Sequence, residues 1–204
     1  MTTPRLGIYG GTFDPPHLGH LILAETAADT LRLDQVLFVP AGTPPHKVAA
    51  TLRSAAEHRL AMVRLAIEGN PRFALSRVDL DRPGPHYSVD MLHLLRDEHP
   101  GAALFFLIGA DSLADLPTWS RPRELIGLAC LGVMRRPGAA PDLDALEREI
   151  PGLHRRMMWL DAPTIDIAAS DLARRIAAGR SVRYQIPDDV CLYIEEHGLY
   201  RNEP

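Results

Sequence analysis

Short apolar runs alternate with amphipathic stretches along this chain. Residues 6–9, Leu-Gly-Ile-Tyr, are an apolar run ending in the pair Gly10 and Gly11, the pattern of a strand in a parallel-sheet core. From there to about Leu31 a helix is predicted, with Leu21, Ala24 and Ala28 spaced along one buried face. Residues 35–40, Gln-Val-Leu-Phe-Val-Pro, predict a second strand, rich in β-branched and aromatic side chains, and residues 73–79 a third. Residues 102–108, Ala-Ala-Leu-Phe-Phe-Leu-Ile, are apolar throughout and predict a central strand buried on both faces. Further strands are expected within 125–134 and over 157–160. Helical patterns lie between, at 55–68 (Leu60, Val63 and Ile67 inward), 88–96 and 143–149, and two more at 170–178 and 187–196 close the chain.

Strands alternating with helices imply right-handed βαβ units. The expected fold is α/β: a Rossmann-like, doubly wound parallel sheet with helices on both faces. At 204 residues the chain fits a single domain, 1–204, with a C-terminal helical segment from about residue 168. There are no internal repeats, and the only linker-like piece, residues 137–141, is too short to mark a boundary. No apolar run approaches a membrane span and the first residues lack a signal-peptide core, so a cytoplasmic protein without membrane contact is expected. A net charge of −4 argues against a general nucleic-acid-binding surface while leaving room for a local basic pocket. Cys130 and Cys191 are too few and too isolated for a zinc site or a disulfide framework. The size is compatible with a homo-oligomer.

The polar landmarks fall after successive strands: residues 12–20, 44–47, 109–111, and Arg135 with Arg136. In a doubly wound sheet, all would gather at the carboxyl edge, where ligands bind. Gly10 and Gly11 suit a tight turn and close approach by a ligand. Asp14 before Pro15 reads as a helix N-cap. His17 and His20, three apart, project from one side of the first turn, beside unpaired N–H groups and the positive end of the helix dipole. Together these form a site for phosphate. A His-x-x-His pair also serves as a surface or capping pair, or binds a metal if two more ligands are near. Lys47 is the only lysine among 22 basic residues and lies on the polar loop after the second strand. Glycine backbone, two histidines and a lysine without paired carboxylates suit charge stabilisation on phosphates rather than acid–base hydrolysis. Gly-x-Gly-x-x-Gly is absent after the first strand, so a nicotinamide-dependent dehydrogenase fits poorly.

Gly10, Gly11, Phe13, Asp14, His17, Gly19 and His20 together resemble the signature of the HxGH nucleotidyltransferase superfamily, Gly-Gly-x-Phe-Asp-x-x-His-x-Gly-His. Within it the chain resembles the bacterial nicotinate-nucleotide adenylyltransferases from its first strand to its C-terminus. Pro-Pro-His-Lys at 44–47, Tyr87-Ser88, Gly109-Ala110-Asp111-Ser112-Leu113 with Trp119 eight residues after Asp111, Arg-Arg-Pro-Gly at 135–138 and the ending at 190–200 all fit that family. The resemblance implies adenylyl transfer from ATP to nicotinate mononucleotide, giving deamido-NAD and pyrophosphate, with Mg²⁺ arriving on ATP and no protein metal cage. It implies catalytic roles for His17, His20 and Lys47. Gly10, Gly11, Thr12, Phe13, His17, His20, Gly109, Asp111 and Ser170 would bind ATP. Lys47, Tyr87, Ser88, Trp119 and Arg135 or Arg136 would bind the mononucleotide, Trp119 by stacking on the pyridine ring and Ser88 at its carboxylate.

Plainer roles exist for several of these: Trp119 as a cap on the core, Asp111 and Ser88 as helix caps, Arg135 and Arg136 as solvated charges. One departure stands out. Where the family reads roughly Ile-Ser-Ser-Thr-x-Ile-Arg, this chain has Ile167-Ala168-Ala169-Ser170-Asp171-Leu172-Ala173, so two hydroxyls and the arginine are missing. Ser170 is expected to cap the following helix and donate to phosphate, with weaker ATP contacts overall. Three alternatives remain: a related transferase such as a phosphopantetheine adenylyltransferase, a nucleotide-binding regulator without turnover, and a metal-dependent hydrolase using His17 and His20. Acceptor choice, pyrophosphate release and a metal assay separate them.

Overall fold

The computed structural model describes residues 3–42, 53–135, 140–163 and 165–201. Six strands form one sheet: β1 (Arg5–Gly11), β2 (Gln35–Pro40), β3 (Phe73–Leu75), β4 (Ala103–Gly109), β5 (Cys130–Met134) and β6 (Met157–Leu160). Their order is β3-β2-β1-β4-β5-β6, and every adjacent pair is parallel. The winding reverses between β1 and β4, which opens a crevice at the carboxyl ends of those two strands.

Among the described residues there are eight α-helices: α1 (Leu18–Thr30), α2 (Ala56–Ile67), α3 (Ser88–Glu98), α4 (Ala110–Ala114), α5 (Pro122–Leu128), α6 (Leu143–Glu149), α7 (Ala169–Ala177) and α8 (Asp188–Glu196). Successive strand residues point to opposite faces. On one face Leu6, Ile8, Phe106 and Ile108 pack against Val89, Leu92 and Leu95 of α3, with Leu125 of α5 and Leu146 of α6 in the same cluster. On the other, Tyr9, Phe38 and Leu107 pack against Leu23, Ala24 and Ala27 of α1 and Val63 of α2. A third cluster, built on Met62, Leu172, Val182 and Val190, joins α2 to α7 and α8. The Rossmann-like expectation is therefore correct, helices on both faces included.

Two local expectations change. Gly10 and Gly11 do not turn the chain; they extend β1 and pair with Val39 and Pro40. The third strand has three residues rather than seven, because the chain leaves β2 after Ser76, whose N–H still donates to the Phe38 carbonyl. The strand expected within 125–134 is present as β5, preceded by α5, which buries Leu125 and Ile126. Among the described residues, no helix is long and apolar enough to cross a membrane.

Candidate active site

The loop from β1 to α1 is shaped by side chains from distant parts of the sequence. Phe13 sits in the left-handed region at φ 49°, which a bulky residue adopts only where its surroundings hold it there. Its ring is 1% exposed and packs edge-on against Tyr9, at 5.4 Å between centroids, and against His20, at 5.0 Å. Gly11 leaves room for it, since a Cβ there would stand 3.0 Å from the phenyl Cζ. Asp14 is not the N-cap the sequence suggested. Its buried carboxylate accepts from Ser54 Oγ at 2.5 Å and from the Tyr200 hydroxyl at 2.6 Å, so α1 starts later, with His17 as its N-cap.

His17 is 5% exposed, and its ring stacks on that of His20 with centroids 3.6 Å apart and planes 25° apart. The expectation that both imidazoles share one side of the first turn is met. The backbone N–H of His17 donates to Nδ1 of His20 at 3.1 Å. An N–H donor fixes that nitrogen as the acceptor, so the neutral ring carries its proton on Nε2. His20 therefore offers an N–H from Nε2 without having to be charged.

Two hollows meet at this loop, and Tyr9 borders both. The larger, about 680 Å³, opens where the winding reverses. Gly10, Gly11 and Thr12 from β1 and its loop form one wall, Gly109 and Asp111 at the end of β4 another. Tyr87 and Ser88, at the start of α3, line it with Trp119. Ser88 is the first residue of α3 and Tyr87 its N-cap, so the leading N–H groups of an 11-residue helix begin at the cleft wall. Trp119 stands edge-on to Phe106, 6.1 Å between centroids, and packs against the core at the cleft's rim. The smaller hollow, about 360 Å³, is lined by His17, Gly19 and His20 on one side and by Arg135, Ile167 and Ala168 on the other.

This division sorts the expected residues. The larger cleft unites Tyr87, Ser88 and Trp119 with Gly10, Gly11, Thr12, Gly109 and Asp111. Arg135 falls instead with the histidines: its guanidinium lies 4.4 Å over the Trp159 ring and its Nε donates to Asp161 at 2.9 Å. Phe13 lines neither hollow; its ring supports His20 from the core. Ser170 is not the cap of α7. Ala168 holds that position with no side-chain hydrogen bond, and Ser170 is an exposed second helical residue. Lys47 and Arg136 lie outside the described residues.

Three residues that the sequence reading passed over shape the site. Arg59 of α2 is 1% exposed, and its guanidinium donates to the carbonyls of Thr12 at 3.0 Å and Ala41 at 2.7 Å, tying the tips of β1 and β2 together. Burial lowers its pKa, opposed by the charge of Asp14. An arginine four residues before Val63, on the inward face of a helix, was its one sequence signal. Asp79, 5% exposed on the cleft wall, takes Arg82 at 2.6 Å; burial pushes its carboxyl up and the arginine opposes. Tyr200 reaches Asp14 across 186 residues of sequence, a contact without any local signal.

A parallel sheet with a histidine-bearing loop at its switch point defines the cytidylyltransferase-like class, whose sequence model matches residues 8–175 of this chain. Over 197 residues the chain is 54% identical to a protein of Thermomicrobium roseum described as a "Probable nicotinate-nucleotide adenylyltransferase", covering 97% of this chain and 92% of that protein. A Roseiflexus sp. protein of the same description is 48% identical, over 98% of this chain and 100% of its own length. This chain belongs to the nicotinate-nucleotide adenylyltransferase family. The fold is shared with the solved nicotinic acid mononucleotide adenylyltransferase of Plasmodium falciparum complexed with NaAD, at TM-score 0.78, 18% identity and 97% coverage of both chains.

Proposed function

We infer that this protein transfers the adenylyl group of ATP to nicotinate mononucleotide. An oxygen of the mononucleotide phosphate attacks the α-phosphorus of ATP, the bond from that phosphorus to the bridging oxygen breaks, and pyrophosphate leaves. The products are deamido-NAD and pyrophosphate, with no covalent enzyme intermediate. The observation that carries this reading is the stacked pair His17 and His20 beside two neighbouring hollows at the end of β1.

The chain's own groups divide the work. His20 donates its Nε2–H to phosphate oxygens as charge builds on them, and His17 lines the same wall. A donor aimed at developing charge in a site from which water is excluded contributes roughly 10²–10³ in rate. Arg135, braced on Trp159 and Asp161, presents positive charge to the triphosphate. In the larger cleft, Trp119 stacks on the pyridine ring, while Ser88 and the leading N–H groups of α3 take the nicotinate carboxylate. Asp111 reaches a ribose hydroxyl. Lys47 of the Pro-Pro-His-Lys stretch completes the set as a phosphate-neutralising charge.

Mg²⁺ belongs to this reading as the companion of ATP. Asp166 and Arg135 line the smaller hollow with the two histidines, and among the described residues no group of three or more His, Cys, Asp or Glu could hold a metal ion. In this reading the ion rides on phosphate oxygens and water, where it offsets phosphate charge. A cytoplasmic location, with its supply of ATP, completes the reading.

The test is pyrophosphate release with ATP and Mg²⁺ and either nicotinate or nicotinamide mononucleotide, on wild type and on His20→Ala. Preference for the acid, with a loss of about 10²–10³ in kcat in the variant, is expected. Release with neither mononucleotide would overturn the assignment.

A further inference from the structure

The carboxylate of Asp14, three residues before His17 and 8% exposed, gathers donors from far along the chain. Oδ1 accepts from Ser54 Oγ at 2.5 Å and from the Tyr200 hydroxyl at 2.6 Å. Oδ2 accepts from the backbone N–H of Arg53 at 2.7 Å and, more distantly, of Ser54 at 3.4 Å. Two further ties bracket the loop: Arg59 holds the Thr12 carbonyl, and the N–H of Leu18 donates to the Gln185 carbonyl at 3.0 Å. Two of these partners, Gln185 and Tyr200, come from the segment that follows α7, which has no strand in the sheet.

What the loop carries gives these ties a consequence. Pro15 and Pro16 transmit the position of Asp14 to His17 through a chain with little freedom. Phe13, held in the left-handed region, sets its ring against His20. A shift at Asp14 thus reaches both imidazoles, one along the backbone and one through a ring contact. Burial and the neighbouring carboxylate keep the Tyr200 proton in place far above the usual range of a phenol, so the hydroxyl remains a donor at working pH.

We propose that Tyr200, acting through Asp14, is a positioning residue for the His17–His20 pair, so that the C-terminal segment completes the catalytic loop. This rests on the adenylyl-transfer reading above. Tyr200 touches no expected substrate position; its effect must run through the histidines.

The test is steady-state pyrophosphate release by Tyr200→Phe, alone and combined with His20→Ala, together with the imidazole ¹⁵N shifts of wild type and Tyr200→Phe. Expected is a loss of about tenfold in kcat, since small displacements of catalytic groups cost up to roughly 10²-fold. KM for the mononucleotide should stay within about twofold of wild type, because Asp14 and Tyr200 do not line the larger cleft. Residues acting through one another are non-additive, so the tyrosine substitution should add little in the His20→Ala background. The ¹⁵N resonances of His17 and His20 should move. An unchanged kcat, an equal fold-loss in both backgrounds, or unmoved imidazole shifts would each overturn the proposal. Inactivity of the wild type would instead overturn the adenylyl-transfer reading, and the shifts would still decide this one. Should Tyr200→Phe fail to fold, Ser54→Ala removes the other donor to the same oxygen and carries the same comparisons.

Discussion

Gly19 and His17 share one space: a Cβ on Gly19 would stand 3.0 Å from Nδ1 of His17 and 3.1 Å from its Cε1. The ring would have to give by a few tenths of an ångström. Gly19 is also the second residue of α1, where alanine suits a helix better by about 0.5–1 kcal/mol. Stability and activity should therefore part in Gly19→Ala. Thermal unfolding is expected to hold or rise slightly while kcat falls by about tenfold through the displaced imidazole. Parallel losses of Tm and kcat would show that the glycine serves folding instead.

Trp119 lines the larger cleft and packs against Phe106 in a T-shaped pair. Nicotinate mononucleotide carries a cationic pyridinium ring, whose attraction to an indole face contributes roughly 0.5–2 kcal/mol. Trp119→Ala should raise KM for the mononucleotide about tenfold and leave KM for ATP nearly unchanged, with Trp119→Phe in between. Equal effects on both substrates would place the indole at their junction instead.

Asp79 gives a pH test with a definite sign. Burial raises its carboxyl pKa in the folded protein above the value of about 3.9 expected in the unfolded chain. The folded state then binds the proton more tightly, so this residue's contribution to stability is present in acid and is lost as pH rises from about 4 through the folded pKa. Asp79→Asn should accordingly gain Tm relative to wild type as pH is raised from 4 to 6. A variant that instead falls further behind as pH rises would show that the bond to Arg82 outweighs the cost of burying the charge.

Ala168 caps α7 without a side-chain hydrogen bond and lines the hollow that holds the histidines. Serine at such a position accepts from an early N–H of the helix, a gain of about 1 kcal/mol. Ala168→Ser should raise Tm by several degrees and lower KM for ATP a few-fold, as the hydroxyl adds a polar group to the hollow. A rise in Tm with unchanged KM would confine the effect to the helix.

These cases also show what the sequence carried. β1 and β4 were legible because each is an apolar run of strand length, and the parallel sheet covered on both faces followed from the alternation of strands and helices. The histidine pair was legible because three residues in a helix mean one face. The start of α1 was misread because Asp14 has the composition of a cap, while its real partners, Ser54 and Tyr200, lie 40 and 186 residues away. Local patterns carry no such information. Arg135 shows the same limit: Trp159 and Asp161, more than twenty residues on, decide where its guanidinium lies. Arg59 was hidden because a buried arginine bound to main-chain carbonyls leaves no motif.

Tyr9 lines both hollows at the end of β1. Two small reactants can be gripped independently there, each by its own wall. Once joined, they become one bivalent guest: the mononucleotide half, while held, keeps the adenylyl half at high effective concentration beside its own chamber, and the reverse. The dinucleotide product is therefore expected to bind more tightly than either nucleotide alone, which its inhibition of pyrophosphate release would measure.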